Sequence, residues 1–217
     1  MSDTDSFIEE VSEEVRRDRL FGYIRRYGWI AVGVILLLVG GAAYNEYSKA
    51  QTRYAAQARG DAILDALAAD DSPARATALA KLDADGRTAP VIAMLHAAEA
   101  QVAEDPAAAA AALKAIADDS SHAQLYRDLA GLKLAILTAG DTPPAERIAA
   151  LQSLTQPGAP FRVLAEEQTA LAEIEAGNTD AALTRLRALL EDNDASQGLR
   201  LRAQQLIVSL GGDVNPE

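Results

Sequence analysis

The chain has 217 residues, a formal net charge of −12, few aromatics (5%) and no cysteine. Without cysteine there is no disulfide framework and no thiol chemistry. An acidic balance of this size repels phosphate backbones, which argues against nucleic acid as a partner.

Residues 1–26 form a charged tail with seven acids against five arginines, Arg16, Arg17, Arg19, Arg25 and Arg26. Ser6 and Glu9 have capping-box spacing, Ile8, Val11 and Val15 recur at helical spacing, and Glu13–Arg17 is a favourable i,i+4 pair. The tail reads as a short solvated helix.

Residues 27–47, YGWIAVGVILLLVGGAAYNEY, carry no charge from Tyr27 through Tyr44. A helix of about 20 apolar residues matches the roughly 30 Å hydrocarbon core of a bilayer. Tyr23, Tyr27 and Trp29 at one end and Tyr44 and Tyr47 at the other give the aromatic belts of a membrane helix. Five arginines before the span outweigh Lys49, Arg53 and Arg59 after it, so the bias puts the N-terminus in the cytoplasm and the larger part outside. A cleaved signal peptide, with Gly40–Ala43 as its small-residue site, is the rival reading. The long, acid-containing region before the apolar core speaks against it. Gly33 and Gly40 lie seven apart on one helix face and are candidate packing positions for a second membrane helix.

Residues 48–70 continue the helix as a stalk. Ala56, Gly60, Ile63 and Leu67 give it a stripe for burial against the following domain, residues 71–217. Capping residues before prolines mark helix starts at Ser72, Asp105 and Thr142, and Thr179 and Ser196 are further N-cap candidates. Gly140, Gly177 and the Gly211–Gly212 pair sit where helices end. Between these marks run apolar stripes: Val91, Leu95, Ala98, Val102; Leu125, Leu129, Leu132, Ile136; Leu183, Leu186, Leu190; and Leu199, Ala203, Leu206, Leu210. No window alternates as a strand does. The expected fold is all-α, with about eight or nine helices beyond the membrane.

Residues 161–194 fit a 34-residue tetratricopeptide unit, with Ala170 and Ala182 at its small positions and Gly177 at its turn. A second unit at 91–118 places Ala98 and AEDPAAAAAAL in the same roles, and a third spans 122–155. The signature aromatics are mostly absent and Asp194 stands at the final proline position, so the repeats are degenerate.

An acidic tail, an anchor with the run Trp29–Leu36 followed by Tyr44 and Tyr47, and degenerate repeats occur here in that order. In this the chain resembles the bacterial ancillary Sec translocon subunit family, single-span inner-membrane proteins with a periplasmic tetratricopeptide-like domain. The resemblance implies contact with translocon subunits, a periplasmic chaperone and newly exported chains. It implies neither catalysis nor a cofactor.

The residues themselves suggest no active site. His96 and His122 have no Cys or acid cluster around them for a metal. Glu166 and Glu167 are helix neighbours that point apart, and read as a solvated face rather than an acid/base pair. No P-loop, nucleophile elbow or dinucleotide fingerprint is present. The expected function is a membrane-anchored interaction module. Its binding groove is expected to be acidic, since 25 acids face 15 bases beyond the tail. The alternative is a self-associating scaffold for envelope or cell-wall assembly without translocon contact.

Overall fold

Alanine-rich stretches with apolar residues at helical spacing leave the backbone one regular option, the α-helix. The computed structural model describes the backbone of residues 3–83, 86 and 88–214, and the side chains from Arg25 onward apart from Ala31. Among these residues the chain is all-α, with no strand. The expected Ser6–Glu9 and Glu13–Arg17 pairings lie outside the described side chains, as do Tyr23, Arg16, Arg17 and Arg19.

The first helix, α1 (Asp3–Leu67), is 65 residues long. It carries tail, apolar stretch and stalk without a break, because no proline interrupts it. The chain divides into two compact units, Met1–Asp61 and Ala62–Glu217. In the first, Trp29 and Leu37 are 74% and 78% exposed. The segment of α1 from Arg25 is long and apolar enough to cross a membrane, and none of its apolar window is buried. It is therefore not the core helix of a globular domain. The expected stalk stripe holds only in part: Ala56 and Gly60 are exposed, while Ile63 and Leu67 are half-buried and Ala66 is buried.

The second unit contains the end of α1 and eight further helices among the described residues: α2 (Ser72–Ala80), α3 (Ala89–Val102), α4 (Pro106–Asp118), α5 (Gln124–Leu137), α6 (Pro144–Leu151), α7 (Arg162–Glu175), α8 (Thr179–Glu191) and α9 (Gln197–Ser209). From α2 onward each helix packs on the next, and α5 touches α7 as α7 touches α9. Three core clusters follow one another along the array. Ala97, Ala100, Leu113, Ile116 and Ala130 join α3, α4 and α5. Leu132, Ala135, Leu151 and Ala165 join α5, α6 and α7. Ala170, Leu186, Leu189, Leu199 and Ile207 join α7, α8 and α9. This is the quasi-one-dimensional core of a helical-repeat stack, in which alanine lets helices approach closely.

The helix starts obey the capping chemistry with shifts of one residue. Asp105 caps α4, accepting from the Ala108 N–H at 2.9 Å, and Ser196 caps α9 through the Leu199 N–H at 3.3 Å. At α2 the cap is Asp71, not Ser72; its carboxylate accepts from the Ala74 N–H at 2.8 Å. At α6 the two prolines delay the start, so Pro143 rather than Thr142 holds the N-cap. Thr179 is the first helical residue of α8, after Asn178.

The turns between paired helices repeat. After α7 the Asn178 N–H reaches back to the Glu173 carbonyl at 2.8 Å, with Gly177 at φ +77°. After α3 the Asp105 N–H reaches the Ala100 carbonyl at 2.9 Å, with Glu104 at φ 60°. Both are Schellman turns, and both alleged repeat units carry one at the same place. Gly140 is not among the residues with positive φ.

One expected core stripe is out of phase. In α3 the buried residues are Ile92, Ala97 and Ala100, while Val91 and Val102 are exposed and Ala98 faces outward. Helix α3 is apolar nearly all round, so periodicity does not choose its face; contact with α2 and α4 does. In α5, likewise, Leu132 is buried but Leu125 and Ile136 are 49% and 46% exposed.

Candidate functional site

Of the residues left open by those phase shifts, Ala98 and Ile136 line depressions on the array. Alternate helices α3, α5, α7 and α9 contribute most of the lining of two such depressions. The larger, of about 700 Å³, is bounded by Leu132 and Ile136 of α5, Leu164 and Leu171 of α7, and Leu206 of α9. A smaller one of about 150 Å³ lies between α3 and α5, with Met94, Ala98 and Leu137. Ile136 borders both.

Their apolar side chains come from residues three, four or seven apart, the spacing that puts side chains on one helix flank: Leu132 and Ile136, then Leu164 and Leu171. Ile136 and Leu164 are 46% and 40% exposed, a cost in water unless something covers them. The polar members are three amides, Gln101 of α3, Gln168 of α7 and Gln205 of α9, together with Ser209, Lys133, Glu167 and Arg202. An amide both donates and accepts, so it can meet either group of a peptide backbone. Sequence reasoning passed over these glutamines. The signal that finds them is their place on the same flanks as the misphased stripes.

The larger depression has one acid, Glu167, and it is neutralised. Its carboxylate accepts from Nε and NH2 of Arg202 at 2.6 and 2.8 Å, tying α7 to α9. This bidentate pair raises the Arg202 pKa above its ordinary value. The acidic lining expected from net charge is therefore not found in this depression. The reading of Glu166 and Glu167 as a solvated face is corrected. They do point apart, but Glu167 is only 5% exposed and Glu166 pairs with Arg185 of α8.

A second cleft, about 540 Å³, lies over α7 and α8. Both of its arginines are engaged with its acids, and Asp180 adds a further carboxylate to the lining. Arg185 donates to Glu173 at 2.8 and 3.1 Å as well as to Glu166. Arg162 donates to Asp192 at 2.6 and 3.0 Å and to Asp194 at 2.9 Å. The Arg162 guanidinium, aided by the Asp194 N–H, holds the Asp192 carboxyl below the usual carboxylate range. The cleft floor is small-sided, with Ala181 and Ala188. These pairs latch the repeat; the groove on the other flank has the unsatisfied apolar surface.

Gly33 and Gly40 both lie on the outer surface of α1, Gly33 half-exposed and Gly40 exposed, with nothing within 4 Å of where a Cβ would stand. His122 is 3.7 Å from Asp119, and His96 is half-buried. Among the described residues no three His, Asp or Glu side chains are grouped to hold a metal.

A family model described as a tetratricopeptide repeat-like domain matches residues 23–169. The match takes in the apolar part of α1 and ends within α7, so α8 and α9 lie beyond it. No curated protein and no solved structure matches the chain significantly.

Proposed function

The chain belongs to the tetratricopeptide repeat-like family, and on that premise we propose that it is a membrane-anchored module that binds apolar segments of other protein chains. Domains of this kind are protein-interaction modules. The observation that carries the reading is the pair of largely apolar, glutamine-rimmed depressions along α3, α5, α7 and α9, whose charged lining is the Glu167–Arg202 pair and Lys133. Leucine and isoleucine supply contact area, and glutamine meets backbone groups irrespective of sequence. Such a groove suits a chain that has not yet folded, whose apolar side chains and backbone are both still open.

The proposed topology follows the arginine bias: a cytoplasmic tail over residues 1–26, a span over 27–47, a stalk over 48–70 and an external binding domain over 71–217. With the resemblance to the ancillary Sec translocon subunits, this gives a role in the bacterial envelope. The module would stand beside translocon subunits and a periplasmic chaperone and receive newly exported chains. Its apolar helix supplies the lipid contact, and Gly33 and Gly40 face whichever helix lies alongside it. No reaction and no cofactor form part of the proposal.

The test is a photocrosslinking amino acid placed at Leu164 in intact membranes. Adducts with exported chains, translocon subunits or a periplasmic chaperone are expected. They should be lost when Ile136 and Leu171 are both changed to serine. Adducts that persist in that double variant, or that contain only cytoplasmic proteins, would overturn the reading.

A further inference from the structure

We propose that the first unit pairs with a second copy of itself through a parallel heptad seam running from Leu37 to Ala58. Read in steps of three and four, α1 places Leu37, Gly40, Tyr44, Tyr47, Gln51, Tyr54 and Ala58 on one line. That is an a/d line over three heptads, aromatic or apolar except at Gly40 and at Gln51, a polar residue at a single a position. The flanking e and g positions hold Gly41, Ala43, Ser48, Ala50, Ala55 and Gln57. All are uncharged and most are small, which lets two backbones come close.

The charges point the same way. Between Leu37 and Arg59 the charged residues are Glu46, Lys49, Arg53 and Arg59, and all four fall on b, c or f. Glu46 and Arg53 pair with each other on that outer flank at 3.6 Å. Beyond Tyr47 and as far as Ala58, where a bilayer no longer accounts for it, positions a, d, e and g still carry no charge, four of the seven around the helix.

The exposed tyrosines make the seam costly to leave open. Tyr44, Tyr47 and Tyr54 are 75%, 64% and 69% exposed. A membrane interface accounts for Tyr44 and Tyr47, but Tyr54 lies about 15 Å farther along the helix than Tyr44. Its line continues inward through Gln51, whose amide donates to the Tyr47 hydroxyl at 3.0 Å. At about 150–250 Å² per aromatic side chain, the three tyrosines offer a pair of copies roughly 600–1,000 Å². That approaches the approximately 1,000 Å² of a stable interface before Leu37 and the small residues are counted.

A second copy is the occupant because the seam is self-complementary in parallel. Copies crossing one membrane in the same sense bring Tyr47 to Tyr47 and Tyr54 to Tyr54 in register. To that extent the seam rests on reading 27–47 as a span.

The chain has no cysteine, so single cysteines report without background. Gln51→Cys and Ala58→Cys lie on the seam; Ala56→Cys, at f, lies opposite. Each full-length variant is oxidised in its own membranes, and a parallel sample carries a maleimide–benzophenone on the same cysteine. The expected result is a shift from 22.9 kDa to twice that mass for Gln51→Cys and Ala58→Cys, with Ala56→Cys remaining monomeric. Equal crosslinking at all three positions, none at the seam, or photoadducts only to chains of another mass would overturn the proposal. A carbonate wash separates the two readings. Chain retained in the membrane without seam crosslinks refutes the pairing alone, whereas chain released by the wash refutes the span and the shared orientation with it.

Discussion

Glu167 and Arg202 are 35 residues apart and meet in a bidentate pair at 2.6 and 2.8 Å, with the carboxylate buried and the guanidinium half in water. Removing the cation alone strands the anion. Arg202→Ala is expected to cost about 1–3 kcal/mol, less than for a fully buried pair because water screens Arg202. The double variant Glu167→Leu, Arg202→Leu should recover much of that loss. Urea unfolding followed by circular dichroism, on the full chain in detergent, checks both.

The two Schellman turns predict opposite outcomes from opposite substitutions. Glu104 holds φ 60° without the freedom of glycine, whereas Gly177 holds φ +77° with it. Glu104→Gly should stabilise by up to about 1 kcal/mol, and Gly177→Ala should destabilise by about 1 kcal/mol or more. Thermal midpoints moving in the same direction for both variants would contradict the shared geometry.

Gly212 is close-packed. A Cβ there would stand 2.7 Å from Leu183 Cδ2 and 3.2 Å from the Ile207 carbonyl oxygen. The leucine can turn aside but the backbone cannot, so Gly212→Ala is expected to cost about 1–3 kcal/mol. A further Leu183→Ala change should relieve part of the crowding while adding a cavity. The interaction term between the two variants reads this directly.

Acid should weaken the α7–α8 latch. Because Asp192 has a depressed pKa in the folded chain, its pairing stabilises fully above the ordinary carboxylate value of about 3.9. That contribution is lost as pH falls through the lower folded value. Asp192→Asn should therefore be less stable than the parent at neutral pH, with the difference closing through the acid range. A constant difference from pH 7 downward would show that Arg162 does not act through this charge.

Salt distinguishes this largely apolar groove from the acidic one expected from net charge. An uncharged apolar peptide should bind with a Kd changed less than about twofold between about 0.05 and 0.5 M salt, a range over which screening lengths shrink severalfold. Fluorescence anisotropy with Leu164→Asp as the control measures it. Strong salt weakening would move binding to the charged surface.

The contrast between fold and groove explains what the chain's letters reveal. Helix ends were legible because Asp105, Ser196 and Gly177 act locally, through bonds to neighbours a few residues away. The face of α3 was not, because Val91, Ile92, Leu95 and Ala97 are all apolar and any flank could be core. The partner of Glu167 was equally hidden, since Arg202 reaches it only after α7 and α9 are stacked. The packing role proposed for Gly33 and Gly40 belongs to the same class, being a matter between chains.

A groove whose charges are one internal ion pair and a single lysine exerts little pull at a distance. Association without electrostatic steering proceeds at the unguided rate of about 10⁵–10⁶ M⁻¹s⁻¹. A brief encounter with a passing chain then depends on how often the two meet. On the proposed topology, α1 supplies this: confining the groove beside the point where chains emerge raises its effective concentration, much as a tether does for a weak second site. The sparse charge of the groove and the length of the anchor are two halves of one kinetic arrangement, in which proximity replaces attraction.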